Sequence, residues 1–570
     1  MCFLVLLLVL GAAAPAPAET VTVTVLATTD MHGNIYPVDY YSGKAAPRGL
    51  ARLATLIREV RAGTPNTMLI DCGDTIQGSP LESVYQAMVR TGHGPPGLPA
   101  PAGELRHDPM MLAMNRLGYA AMAVGNHEYN FGLGNLGRAR GDADFPWLSA
   151  NTEVAPGGRE QPFAPYIVAT VAGVKVAVIG ITTPAVPTWE KPENYGAYRF
   201  TSAPDAVGRA VAKLRAGERP DLILVAAHSG LGRDLRTGEP DGPGENVVYA
   251  VASAVPEIDA IVFGHTHQRL EGARIGSVLV VQPKNAGASL ARIDFTLERN
   301  AGQPWRLTDK RSRLLPATAA TPAAADILEI ARPYHELAER YLELPVANAR
   351  RSLDAGLGRV EDTALLDAVQ TVQLYYSHAD VSFTALFTPQ LAVPMGPVTV
   401  RQIAALYPYE NELYLIQGDG KMVKEALENA ARYFRSCADE HCGPPLVNDR
   451  VMGFNYDVAE GVEYEIDLTR PAGDRIRNLR WQGKPLSPSQ PLKLAVNNYR
   501  AAGSAGYSMF KGAKILWQSG EEIRDMIIRY YTGRKELPVE PDNNWRVVPE
   551  AARRTLEKQA AEYSRRPDAL

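Results

Sequence analysis

The 570-residue chain lacks an excess of charge of either sign: Lys and Arg number 59, Asp and Glu 63, for a formal net charge of −4. No basic field is present to hold a nucleic-acid polymer, so any nucleic-acid-like substrate must be small and held by a pocket. Long apolar runs are missing after the first ten residues, which leaves no stretch fit for a membrane helix. Cysteine is scarce, four in all. Cys2 lies in the N-terminal apolar run and has no lipobox before it, so no lipid anchor is expected. Cys72, inside IDCGD, reads as a small buried filler. Cys437 and Cys442, in SCADEHC, can close a short disulfide loop in an oxidising compartment. A zinc site there would need two more ligands, and His441 supplies at most one. Internal repeats and long low-complexity tracts are also missing.

The N-terminus, MCFLVLLLVLGAAAPAPAE, reads as a signal peptide over residues 1–18, although it has no positive leading segment. Cleavage near Ala18 and a periplasmic or secreted product are expected. The remaining composition, 46% hydrophobic and 21% charged, is that of a soluble globular protein. Its length calls for two folded domains and a connector. From Thr20 to about Leu297, short β-rich runs alternate with helical patterns. VTVTVLATTD, TMLIDCGD, AAMAVGNHE, KVAVIGITT, DLILVAAHSG and AIVFGHTHQ are all apolar runs that end in polar residues. Continuous apolar runs fit strands buried on both faces of a layered α/β domain, with their polar tips at one edge. Residues 299–325 read as a linker. DILEIARPYHELAERYLEL reads as a connecting helix broken or kinked at Pro333. An α+β module follows from about Ala347.

The tips carry Asp30 and His32, Asp71 and Asp74, Asn126 and His127, His228, then His265 and His267. Five of the chain's ten histidines lie here. A lone histidine at a strand end is more often structural than a ligand, but five of them interleaved with Asp and Asn point to metal. Mixed imidazole and carboxylate sets suit Zn, Mn, Fe or Co better than Ca or Mg. Six or more ligands suit two divalent ions that share a carboxylate, a pair able to activate water and clamp ester oxygens. Gly33, Gly73, Gly125 and Gly264 beside the ligands leave room for tight turns.

DMHGN, GDTIQGSP, GNHEYNFG, AHSGLG and GHTHQ together resemble the five blocks of calcineurin-like metallophosphoesterases. Within that superfamily the chain resembles the exported 5′-nucleotidase and 2′,3′-cyclic-nucleotide 2′-phosphodiesterase family over nearly its whole length. The resemblance implies a four-layer αββα sandwich with a C-terminal α+β nucleotide-binding domain. Its boundaries would be a catalytic domain over 20–310, a linker and helix over 311–346, a substrate-binding domain over 347–545 and a tail over 546–570. It implies that Asp30, His32 and His267 hold one metal, that Asn126, His228 and His265 hold the other, and that Asp74 bridges them. His127 would face the phosphoryl oxygens, with Glu128 and Asp71 supporting the site. In the 5′-nucleotidase branch an Asp two residues after this Glu pairs with the catalytic histidine. Here that position is Asn130, as in the cyclic-phosphodiesterase branch.

For the second domain the resemblance implies two rings around a base, Phe454 and Tyr507, with Tyr456 a rival for the first slot. It also implies a base contact from Asn411. Arg500 either reaches the substrate or pins a loop. A Gly-Gly-x-Arg stretch that supplies a phosphate arginine in the 5′-nucleotidase branch is absent, and Arg401 lies too far along to replace it. The expected activity is hydrolysis of nucleotides at 2′,3′-cyclic phosphodiester or monoester bonds. Alternatives are a UDP-sugar or other phosphate- or sulfur-ester hydrolase, and a non-catalytic nucleotide-binding protein. The oligomeric state is open, with a monomer as the default.

Overall fold

The computed structural model describes residues 19–95, 97–98, 105–159, 162–240, 244–409, 411–438 and 441–563, so the signal-peptide reading lies outside the described residues. The chain divides into two compact units. One comprises the chain up to Pro37, Ala46–Glu82 and Leu105–Pro333. The other comprises Val38–Ala45, Ser83–Glu104 and the chain from Tyr334 onward.

Two six-stranded sheets build the first unit. One runs Arg306–Pro316, Ser289–Arg299, Glu19–Thr28, Thr67–Asp71, Ala121–Ala123, Trp147–Leu148. The other runs Arg269–Ile275, Val278–Pro283, Ala260–Phe263, Leu222–His228, Val174–Thr182, Tyr166–Val171. Alternate residues of each strand face opposite ways. Val23, Val25 and Ala27 share a core with Val176, Val178, Leu224, Ala226 and Val262 between the sheets. The intervening Ala177, Ile179, Ile223, Val225 and Ile261 pack outward on the helices Ala203–Ala216 and Val248–Ala254. Each fully buried Val or Ile contributes roughly 1.5–3 kcal/mol. Ser202 caps the first of these helices by accepting from Asp205 N, and Val207, Val211 and Leu214 repeat at helical spacing on its buried face. Helix Leu50–Gly63 covers the other sheet at Ser289–Arg299, completing the four αββα layers.

The register fixes where the polar tips fall. Thr28 pairs with Asp71, and Asp71 with Met122, in parallel strands. In the other sheet His228 pairs with Thr182, and Ala227 with Phe263. The carboxyl ends in each sheet therefore finish level.

The second unit has a five-stranded sheet of order Asp457–Glu460, Val381–Ala385, Pro491–Asn497, Glu412–Asp419, Ile515–Glu522. A four-stranded sheet ends with Glu463–Asp467 beside Trp545–Val548. Thr363 caps helix Ala364–Ser377 and Asp419 caps helix Gly420–Ala430. Cys437 and Cys442 form a disulfide, and Cys72 is buried and free.

Three expectations need correction. The linker read over 299–325 contains the strand Arg306–Pro316, paired along its length with Ser289–Arg299. Its charged, half-exposed pattern is that of an edge strand, which the composition disguised. Helix Ala325–Leu342 is continuous through Pro333, which corrects the break, one of the two readings there. The tail over 546–570 is no tail in its described part: Trp545–Val548 is a sheet strand, and helix Glu550–Tyr563 buries Ala552 and Leu556.

Candidate metal centre

Five of the seven predicted ligands stand where the backbone departs from regular strand geometry, while His228 ends its strand in regular form. Asp30, His32, Asp74, His265 and His267 take φ of 49°, 47°, 57°, 74° and 55°. Asp and His tolerate this left-handed region better than most residues, yet it costs on the order of 1–2 kcal/mol each. Backbone bonds between the first two tips hold them in it. Asp30 N donates to Gly73 O, His32 N to Asp74 O and Gly33 N to Thr75 O, each at 2.9 Å. Glu128 is fully buried behind them. Its carboxylate accepts from Asp74 N (2.9 Å), Thr75 N (2.6 Å) and Gly125 N (2.7 Å). The resemblance gave Glu128 a supporting part beside His127, and its bonds make it the clamp between two tips. Asp71 has a similar supporting part, accepting from Thr28 Oγ1, Gly73 N and Thr75 Oγ1. Burial pushes its carboxyl up to about 7.

Two groups of ligand atoms result, Asp30–His32–His267 and Asp74–His228–His265, with the atoms of each within 4.8 Å of one another. His32 Nδ1 lies 2.8 Å from Gln77 O and His228 Nδ1 lies 2.8 Å from Cys72 O. A carbonyl only accepts, so each Nδ1 carries a proton and each Nε2 is the nitrogen turned toward the other ligand atoms. His32 Nε2 lies 3.0 Å from His267 Nε2. His228 Nε2 lies 2.9 Å from Asp74 Oδ2, and Asn126 Oδ1 is buried without a hydrogen-bond partner among the described residues. A buried amide oxygen that meets no donor is costly unless a cation takes that place. The donor set therefore fits divalent metal. Burial, with His267 adding to it, lowers the His32 imidazole to about 4. Burial would raise the Asp30 carboxyl, but its hydrogen bond with His267, together with the fields of His267 and His228, outweighs that and lowers it to about 2. The one is thus neutral and the other ionised at neutral pH, as ligands must be.

His127 donates its backbone N–H to Asp74 Oδ1 at 2.9 Å, and its Nε2 lies 3.9 Å from Asp74 Oδ2. Its Nδ1 lies 2.5 Å from Asn130 Oδ1, and Asn130 Nδ2 donates to Glu190 Oε2 at 2.6 Å. Sequence reasoning missed Glu190, because a glutamate in a polar loop sixty residues away carries no signal. It also missed Glu245, whose Oε1 lies 3.8 Å from His265 Nε2.

The predicted substrate residues of the second unit fare less evenly. Tyr507 is fully buried, with Arg500 over its ring at 4.5 Å and Phe510 parallel to it at 6.0 Å. It has no exposed face for a base. Tyr456 is equally buried, stacked on Tyr433 at 5.0 Å. Arg500 pins a loop: it pairs with Asp457 through two bonds of 2.7 and 2.9 Å and donates to Phe454 O. Asn411 donates to Tyr407 Oη at 3.1 Å and is buried. Phe454 alone of the three predicted rings keeps partial exposure, and it lies 6.4 Å from the exposed ring of Tyr409, which the sequence did not single out. Arg401 is held by Glu339 and Glu343.

Residues 23–269 match the family model of calcineurin-like phosphoesterase, and residues 343–512 that of the 5′-nucleotidase C-terminal domain. The chain is 30% identical, over 92% of its length, to the trifunctional nucleotide phosphoesterase protein YfkN of Bacillus subtilis, of which it spans only 39%. It is also 30% identical to the 2′,3′-cyclic-nucleotide 2′-phosphodiesterase/3′-nucleotidase of Yersinia enterocolitica, with 92% of this chain and 87% of that one aligned. A solved 5′-nucleotidase precursor from Thermus thermophilus has the same fold, with a TM-score of 0.63 and 24% identity over 93% of this chain and all of that one.

Proposed function

The chain belongs to the 5′-nucleotidase and 2′,3′-cyclic-nucleotide 2′-phosphodiesterase family of calcineurin-like metallophosphoesterases, which are phosphoric ester hydrolases, and from that premise we propose that it hydrolyses 2′,3′-cyclic nucleotides and nucleotide monoesters. In this reading Asp30, His32 and His267 hold one divalent ion, Asn126, His228 and His265 a second, and Asp74 lies between them. The observations that carry it are the two groups of ligand atoms, Asp30–His32–His267 and Asp74–His228–His265, together with the buried Asn126 Oδ1 that has no hydrogen-bond partner among the described residues. When bound, the ions supply Lewis acidity at a phosphoryl oxygen and a nucleophile derived from water. The protein's own groups do the rest. Asp30 and Asp74 bring the negative charge that two cations need. His127 turns Nε2 toward Asp74, and in its doubly protonated form, with hydrogen on Nε2 as well as on Nδ1, it would neutralise charge on the ester or protonate the departing oxygen.

The cyclic-diester preference is supported by Asn130 and by the engagement of Arg401 with Glu339 and Glu343, which leaves it unsuited to a terminal phosphate. A periplasmic or secreted location follows the N-terminal sequence, and no described helix is long and apolar enough to cross a membrane. The decisive experiment is a hydrolysis panel of 2′,3′-cyclic AMP, 3′-AMP, 5′-AMP and UDP-glucose with added Mn, Zn or Co. Turnover of cyclic AMP and 3′-AMP that chelation abolishes is expected. Preferred cleavage of UDP-glucose with cyclic AMP untouched would replace the nucleotide reading, and a protein that binds no metal and cleaves nothing would remove both.

A further inference from the structure

Glu190 stands between the short helices Val186–Trp189 and Pro192–Tyr195. Its Oε1 accepts from Lys191 N at 2.7 Å and Asn194 Nδ2 at 2.9 Å. Its Oε2 is left for Asn130 Nδ2 at 2.6 Å. Asn194 Nδ2 also reaches Asn130 O at 3.3 Å, so the loop that carries Glu190 grips the residue it addresses at two points.

The direction of these bonds follows from chemistry alone. A carboxylate only accepts, so the amide nitrogen of Asn130 must face Glu190. The amide oxygen must then face His127 at 2.5 Å, and an oxygen requires a donor, so Nδ1 of His127 carries hydrogen. Nε2 is thereby the nitrogen left for the metal tips. An asparagine by itself cannot enforce this, because its amide can rotate and offer N–H in place of C=O. We propose that Glu190 is a positioning residue: through Asn130 it fixes the tautomer and ring orientation of His127, supplying from one residue farther away the carboxylate that a direct His–Asp pair would place at position 130. This rests on the phosphoesterase reading of the site.

Reversal of polarity tests it. In Glu190→Gln the side-chain oxygen stays with Lys191 N and Asn194 Nδ2, so the new amide nitrogen meets Asn130 Nδ2, donor against donor. Asn130 must turn over, and it then offers N–H to His127 Nδ1. Asn130→Asp sets two carboxylates against each other. The pair Asn130→Asp/Glu190→Gln restores a consistent run of donors and acceptors. With the metal-loaded protein and 2′,3′-cyclic AMP, each single variant is expected to lose about 10–100-fold in kcat. KM should stay within about twofold, with bound metal and melting temperature held. The double variant should recover to within a few-fold of the parent. Wild-type kcat in Glu190→Gln, or a double variant whose loss is the product of the two single losses, would overturn the proposal. ¹⁵N shifts of the His127 ring separate it from the wider reading. They should report Nδ1–H in the parent and a changed tautomer in Glu190→Gln even if no tested ester is cleaved, and an unchanged tautomer would also overturn it.

Discussion

At Gly264 a methyl group would collide with Thr29 Oγ1 and Asp30 Oδ2, and at Gly125 it would collide with Asp74 Oδ1. The carboxylates of Asp30 and Asp74 are thus packed against backbone that admits no side chain. Gly264→Ala is expected to displace Asp30, lower bound metal per chain, and destabilise by about 1–3 kcal/mol, as overpacking does. Elemental analysis and thermal melts would check this; full metal content with parental kcat would refute it. At this scale the ligands were legible because each is a polar letter at the end of an apolar run, where only a few reasons for polarity exist. The rings were not. Phe454, Tyr456 and Tyr507 look equivalent as letters, and only packing buries two and leaves the third partly exposed. Arg500 was open between two roles until Asp457 appeared beside it.

Among elements, the start of helix Ala364–Ser377 shows how a carboxylate cluster ties distant segments. Asp367 accepts from Asp542 N at 3.1 Å and Asp362 from Asn543 N at 2.8 Å, latching the segment before strand Trp545–Val548. Burial pushes Asp367 up to about 8, with Asp362 reinforcing it, and burial likewise raises Asp362 to about 6 and Glu460 to about 7. A carboxyl whose folded value lies above its unfolded one holds its proton more tightly in the folded state. Its contribution is full below about 4 and is lost as pH rises through roughly 6 to 8. Asp367→Asn, which resembles the protonated form, should therefore melt no higher than the parent at pH 5 and higher than it at pH 8. An equal difference at both values would refute the latch's protonation. The strand Arg306–Pro316 was illegible at this scale for a related reason. It is an edge, so its side chains are charged and half exposed, and only its partner Ser289–Arg299 makes it a strand.

For the whole molecule, the C-terminal segment tests how far the second unit depends on residues that composition marks as a tail. Trp545 is buried, its strand runs parallel to Glu463–Asp467, and Gln559 of the following helix accepts from Leu446 N at 3.0 Å. Truncation after Asn544 should expose the second unit to limited proteolysis while the first unit's fragment survives. Parental resistance in both would show the segment to be dispensable.

By itself the sequence marked the layering of the first unit and the polar strand tips that carry the seven proposed ligands, because two-sided burial forces continuous apolar runs and strand tips are where such runs must turn polar. The tertiary structure decided what depends on convergence. It set Glu190 behind Asn130 and His127, turned Glu128 inward as a clamp, closed Tyr507 beneath Arg500, and made an edge strand of a presumed linker. The first two are contacts between segments more than fifty residues apart and the last two between near neighbours, but every contact is a property of two positions that neither residue alone encodes.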